Sequence, residues 1–199
     1  MNITLQKGFL IGLLEILGAP ALKEVLPEQA PVLQTDHLDL REPLPAQFFN
    51  ELDAAMISRY GFQAEMGIAH AAGRLAFRSY KDEISVLEEC GKVEQRLLPF
   101  TEKITNALRV FTTMLRDQEI VNMAIERDGI QNTWSIQGSI MPDYGSFIRI
   151  GNQHFFMGVV ESLLEWMDSR HAFQIIQDQS VHSKNKDDLA FTISVVSFD

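Results

Sequence analysis

The stretch Val121-Asn122-Met123-Ala124-Ile125-Glu126-Arg127-Asp128-Gly129, with Trp134 and Ile136 just beyond it, is where the chain changes period. Val121, Met123 and Ile125 alternate with Asn122, Ala124 and Glu126, the pattern of a strand with one face buried. Asp128-Gly129 is a two-residue hairpin signal, and Trp134 and Ile136 carry the alternation back. A Gly/Pro/Asp loop follows from Gly138 to Gly151, after which Phe155, Val159, Leu163 and Met167 return to helical spacing. Phe173 and Ile175, then Leu189, Phe191, Ile193 and Val195 beyond a polar Lys184–Asp188 turn, predict two more strands. The order hairpin, helix, hairpin predicts four antiparallel strands with helices on one face.

The chain before this stretch reads as helices and one connection. Leu5, Phe9, Leu13 and Ile16-Leu17 recur at helical spacing and stop at Gly18-Ala19-Pro20. Pro27 to Pro45 holds four of the seven prolines and reads as a surface connection. Pro45 suits the first turn of a helix burying Phe48, Phe49, Leu52 and Met56. From Tyr60 to Tyr80 the apolar positions run almost all round, with Gly67, Ala69, Ala71, Ala72, Gly73 and Ala76 between Phe62, Met66, Ile68, Leu75 and Phe77. Such a helix is expected to be central, its small residues admitting neighbouring backbones. Its polar exceptions are Glu65, His70, Arg74 and Arg78. Ile104, Leu108, Phe111 and Leu115 mark a further helix starting near Pro99. The expected fold is α+β: a helical N-terminal half packed on a four-stranded antiparallel sheet, 1–199 forming a single ligand-binding domain.

The bulk composition narrows the function classes. The 199 residues are 46% hydrophobic and 22% charged, ordinary for a globular protein. A net charge of −10 works against nonspecific binding to nucleic acid or an anionic membrane. One cysteine, Cys90, permits neither an internal disulfide nor a multi-thiolate metal site. The apolar run Phe9–Leu17 imitates a signal-peptide core, but Glu15 interrupts it and only Lys7 precedes it. No run is long enough to span a bilayer, and a cytoplasmic location is expected.

Asn152-Gln153-His154-Phe155-Phe156-Met157-Gly158-Val159-Val160-Glu161-Ser162-Leu163-Leu164-Glu165, then a strand, a polar turn and Asp188-Leu189-Ala190-Phe191-Thr192-Ile193, resembles the 4-vinyl reductase domain family. Phe9-Leu10-Ile11-Gly12-Leu13-Leu14-Glu15-Ile16-Leu17-Gly18 and Gly73-Arg74-Leu75-Ala76-Phe77-Arg78 extend the resemblance to the whole chain. It implies a fold shared with small TRAPP tethering subunits and haem-type nitric-oxide sensor domains, often dimeric, and binding of small hydrophobic molecules. Where such relatives place cysteines, this chain has Gln153, Val181 and Leu189, so the resemblance implies no thiolate metal site here.

Candidate site residues each carry a structural alternative. His70 and Arg74, four apart, share one helix face. They read as an anchor for an anionic head group, or structurally, with Arg74 paired to an internal carboxylate or carbonyl such as Glu65 and His70 satisfied by hydrogen bonding. His154, near a helix start, has no ligand-spaced His, Cys or carboxylate beside it, and the five histidines are scattered. Thirteen phenylalanines and eight methionines would fill a core or line an adaptable pocket. The expected pocket residues are His70, Arg74, Phe77, Met66, Phe111, Trp134 and Phe155. No phosphate loop, HExxH or nucleophile signature is present.

These readings favour a non-enzymatic binding or sensor domain for a small hydrophobic or lipid-like molecule. It is expected to form a homodimer and to need no cofactor and no metal. The alternatives are an accessory or enzyme of tetrapyrrole metabolism and an interaction module without a ligand.

Overall fold

The computed structural model describes residues 3–27, 33–34, 37–38, 44–81, 85–117, 121–130, 132–140, 150–177 and 188–196. Val181 and the Met141–Arg149 part of the expected Gly/Pro/Asp loop lie outside them. The chain divides into two compact units, Met1–Ser79 with Asp143–Val159, and Tyr80–Pro142 with Val160–Asp199.

The first unit is helical. Helix α1 (Ile3–Val25) is broken at Gly18, where φ is 74° and ψ is 159°. That backbone is open to glycine at little cost. Pro20 then falls in the first turn of the second segment, where its missing N–H is no loss. The expected stop at Gly18 is therefore a break followed by more helix. Strands β1 (Leu33–Gln34) and β2 (His37–Leu38) pair antiparallel. The Gln6 side chain spans Leu44, donating to its carbonyl at 3.1 Å and accepting from its N–H at 2.8 Å.

Helix α2 (Ala46–Tyr60) follows Pro45 and buries Phe48, Phe49, Leu52 and Met56, as their spacing predicts. Gly61, at φ 83°, closes it by donating its N–H to the Ile57 carbonyl at 2.8 Å. Helix α3 (Phe62–Tyr80) departs from the expectation of burial all round. Its buried stripe is Glu65, Ala69, Ala72, Gly73, Ala76 and Phe77, while Phe62 is 45% exposed and Met66 and Ile68 are half-buried. Residues at i, i+4, i+7, i+8 and i+11 occupy one helix face, and here that face carries mostly small side chains.

Small size has a direct cause. A Cβ added at Gly73 would collide with the backbone of Phe155 and Val159, and one at Gly158 with the backbone of His70 and Arg74. A Cβ at Gly12 would meet the Ala72 carbonyl. Gly158 lies on helix α7 (Ile150–Met167), so α3 is in backbone contact with α1 on one side and α7 on another. Phe9 fills the adjoining space, edge-on to Phe155 at 5.1 Å between ring centroids.

The second unit holds the sheet. Helices α4 (Ser85–Gly91) and α5 (Val93–Arg96) lead into α6 (Phe100–Asp117), which buries Ile104, Leu108, Phe111 and Leu115. Strands β3 (Val121–Asp128), β4 (Thr133–Ile140), β5 (Ala172–Gln177) and β6 (Asp188–Val196) form one antiparallel sheet in the order β3-β4-β6-β5. In its centre Trp134 faces Ile193 and Ile136 faces Phe191, all four buried. Helix α6 docks there: the Trp134 indole N–H donates to the Thr105 hydroxyl at 2.9 Å, and Phe100 stacks on Phe173 at 6.2 Å.

The β3–β4 turn differs from the expected Asp128-Gly129 pair. Asp128 faces Thr133, leaving four residues in the connection. The Asp128 carboxylate accepts the Ile130 N–H at 2.8 Å, and the positive φ, 50°, falls on Asn132. Both residue types favour such local turns.

The glycine contacts yield a prediction. Gly73→Ala or Gly158→Ala should destabilise the protein by about 2–3 kcal/mol or more, because overpacking meets backbone. Gly67→Ala, with open space around its Cβ, should stabilise it by up to about 1 kcal/mol. Urea denaturation of the three variants checks the contrast.

Candidate functional site

Helical spacing builds the site. On α2, Phe49, Leu52, Asp53 and Met56 fall at i, i+3, i+4 and i+7, and on α3 Glu65 and Ala69 are four apart. With Phe9 and Leu13 of α1 they line a small, partly open cavity with interior space of about 10 Å³, room for roughly one water-sized sphere. The walls are apolar apart from the two carboxyl groups.

Glu65 is the unusual member. It is 3% exposed, and its Oε2 is buried with no hydrogen-bond partner. Burial first, and the nearby Asp53 second, push its carboxyl up to about 7. Burial raises Asp53 as well. Two acids in one apolar wall cannot both ionise cheaply. In the sequence Glu65 stood as a polar exception and one partner for Arg74. The signal that would have found it is its place on the small-residue stripe Ala69, Ala72, Ala76. Asp53 carried a fainter one, four residues after Phe49.

Of the seven expected pocket residues, Met66, His70, Arg74 and Phe77 lie on α3 and Phe155 on α7, all in the first unit. Met66, His70 and Arg74 are half-buried, and Phe77 and Phe155 are buried. Phe111 on α6 and Trp134 on β4 are buried in the second unit. None of the seven lines the cavity just described. His154 is half-buried, its Nε2 buried and unpartnered, and burial and then the His70 charge lower its affinity for a proton.

A second cluster of charge lies in the other unit, built around Asp168. Asp168, with its side chain 1% exposed, accepts from Lys103 Nζ at 3.2 Å and from the Arg170 backbone at 3.1 Å. Arg170 Nη2 at 3.2 Å and His171 Nδ1 at 3.3 Å complete it. Burial alone would raise this carboxyl, but the hydrogen bonds from Arg170, Lys103 and His171 hold it well below the usual carboxylate range. Lys103 is itself buried, so the cluster holds α6 to the segment that enters β5.

No protein-family profile and no curated protein matches the chain. Solved structures do. An Fe(II) unliganded H-NOX protein from K. algicida matches with a TM-score of 0.61 and 11% identity, covering 96% of this chain and 94% of that one. An H-NOX protein from S. oneidensis in the Fe(II)NO ligation state gives 0.59 and 12%, covering 96% and 99%. An oxygen-binding H-NOX domain related to soluble guanylate cyclases gives 0.56 and 11%, covering 100% and 98%. The chain has the H-NOX fold.

This corrects the expected 4-vinyl reductase membership and the hydrocarbon-binding label that came with it. The structural neighbours are H-NOX proteins, and no family profile supports the other assignment. The misleading residues are the apolar runs Phe155–Leu164 and Phe9–Leu17. Their pattern records helix burial, which unrelated helices share. The α+β fold with a four-stranded antiparallel sheet stands.

Haem iron takes an axial His, Cys, Met or Tyr and needs a slot for the macrocycle. His70 and His154 lie on α3 and α7, whose backbones touch at Gly73 and Gly158, and no macrocycle fits between them. The buried stripe of α6, Ile104, Ala107, Leu108, Phe111 and Leu115, offers none of the four ligand types. The pocket between α1, α2 and α3, with interior space of about 10 Å³, has no room for a macrocycle. None of these three places fits a haem. Among the described residues no group of three His, Cys, Asp or Glu could hold a metal ion, and no helix is long and apolar enough to cross a membrane.

The two buried acids predict opposite pH responses. Glu65 binds its proton more tightly when folded, so its contribution is complete below its ordinary value of 4.5 and is lost as pH rises towards about 7. Between pH 5 and pH 8 the wild type should lose about 2–3 kcal/mol relative to Glu65→Gln, at roughly 1.4 kcal/mol per pKa unit. Urea melts at the two pH values measure it. Asp168 has the reverse sign, contributing above the usual carboxylate range and losing that contribution on acidification. Asp168→Asn should cost about 3–5 kcal/mol at pH 7, because Lys103 is left buried without its counter-charge. Thermal denaturation of that variant is the check.

Proposed function

We propose that this chain is a small-molecule-binding sensor domain rather than an enzyme, and that its ligand is small, mainly apolar and not a haem. The observation that carries the reading is the α1–α2–α3 cavity, with six apolar residues and two carboxyl groups in its wall. Support for sensing comes from the fold, since structures with it include an Fe(II)NO state and an oxygen complex. Those proteins present a small ligand to a bound group, whereas this chain's own side chains would contact the ligand directly. The flexible thioether of Met56 gives the wall room to adapt.

The test uses the full chain expressed with haem precursor supplied. Its absorbance should show no Soret band, and a thermal-shift screen of small, weakly polar molecules should give saturable stabilisation. Ala69→Leu, whose added volume enters the cavity, should abolish that stabilisation. A stoichiometric Soret band would overturn the haem-free reading. A screen in which no compound raises the melting temperature, or in which Ala69→Leu responds like wild type, would overturn the cavity as the site.

A further inference from the structure

The two acids in the cavity wall call for a ligand of definite chemistry. Glu65 is buried to 97%, being 3% exposed, and offers Oε2 without a partner. Asp53 faces the same cavity from α2 and is the one other titratable group in its lining. An ionised carboxylate is acceptor-only, so above about pH 7, where Glu65 gives up its proton, the wall holds acceptors and lacks donors. The other lining side chains, such as Phe9, Leu52 and Met56, have no N–H or O–H to give. A buried polar atom left without a partner costs about 1–3 kcal/mol, and more when charged. The missing complement is therefore a cationic donor.

The geometry points to this cavity as a binding site for an organic ammonium ion, a primary amine with a short apolar tail, whose N–H groups are accepted by Glu65 and Asp53. The inference rests on the cavity being the ligand site. A space of about 10 Å³ matches an ammonium head, which is close to water in size. The tail would leave through the open side of the pocket past its apolar side chains, where each methylene that is buried is favourable by about 0.8 kcal/mol. Phe9 and Phe49, with ring centroids 6.3 Å apart, add aromatic faces that attract a cation. A divalent metal is a poor fit: calcium takes six to eight oxygen ligands and magnesium an octahedral six, against two carboxyl groups here. A cation between the acids also offsets the burial, and after it the repulsion from Asp53, that keep Glu65 protonated.

The experiment is a chemical-shift titration of the full chain at pH 8 with n-propylammonium chloride, n-propanol and magnesium chloride in parallel. Propylammonium should perturb residues on α1, α2 and α3, and propanol should bind at least about tenfold more weakly, the loss expected for a charge-assisted hydrogen bond. Glu65→Gln should weaken propylammonium roughly tenfold or more, and Asp53→Asn should weaken it too. Affinity should fall as pH drops below 7, because Glu65 takes up its proton near there. Propylammonium binding equally well to wild type and both variants, or magnesium binding more tightly, would overturn the ammonium site. Should propanol bind instead, in a manner lost in Ala69→Leu, the ammonium inference fails while the wider ligand reading stands. Silence from all three probes, together with an empty screen, removes both.

Discussion

Backbone contact along α3 is the constraint from which the helical unit follows. Gly12, Ala72, Gly73 and Gly158 let three helices approach until main chain meets main chain. At that distance there is no room for large side chains at the crossings. The bulky residues are displaced to the flanks, where Phe9, Phe49 and Phe155 pack edge-on or tilted. The cavity lies beside the same aromatic rings, lined by Phe9 and Phe49 together with Leu52, Met56, Glu65 and Ala69. A fold that packs its centre through glycine and alanine has its spare volume at the edges.

Period made much of the architecture readable. Val121, Met123 and Ile125 marked β3, and Ile104, Leu108, Phe111 and Leu115 marked the face of α6. What period could not reveal was choice among equals. Residues 60–80 looked apolar all round, yet one stripe is buried and Phe62 is not, because the small residues alone permit the crossings. Asp128-Gly129 looked like a two-residue turn, but Asp128 turned its carboxylate on Ile130 and moved the positive φ to Asn132. Family membership was harder still, since apolar runs report burial and little else. The cavity was legible only in part. Asp53 and Glu65 are ordinary letters in a charged-residue count, and only the crossing of α2 with α3 sets them in one wall.

The two buried acids show how burial separates structure from chemistry. Asp168 is surrounded by Lys103, Arg170 and His171, and every partner is supplied from within the chain. Its charge is fixed, and it behaves as a rivet. Glu65 has burial without partners and a neighbouring acid. Its protonation state is therefore open to its surroundings in the range where cells operate. A group in that condition is available to respond to a change in pH or to a charge brought beside it.

The placement of the tryptophans has an optical consequence. The chain has two, and both belong to the sheet unit. Trp134 is fully buried, with its indole bound to Thr105 and Phe100 edge-on to it, while Trp166 lies under the Arg96 guanidinium at 5.3 Å. The cavity, lined from α1, α2 and α3, has no indole of its own. Indole emission is thus a native reporter on one unit, and the proposed ligand site lies in the other. Any change in colour or lifetime on filling the cavity would measure communication between the units, with no label attached to either.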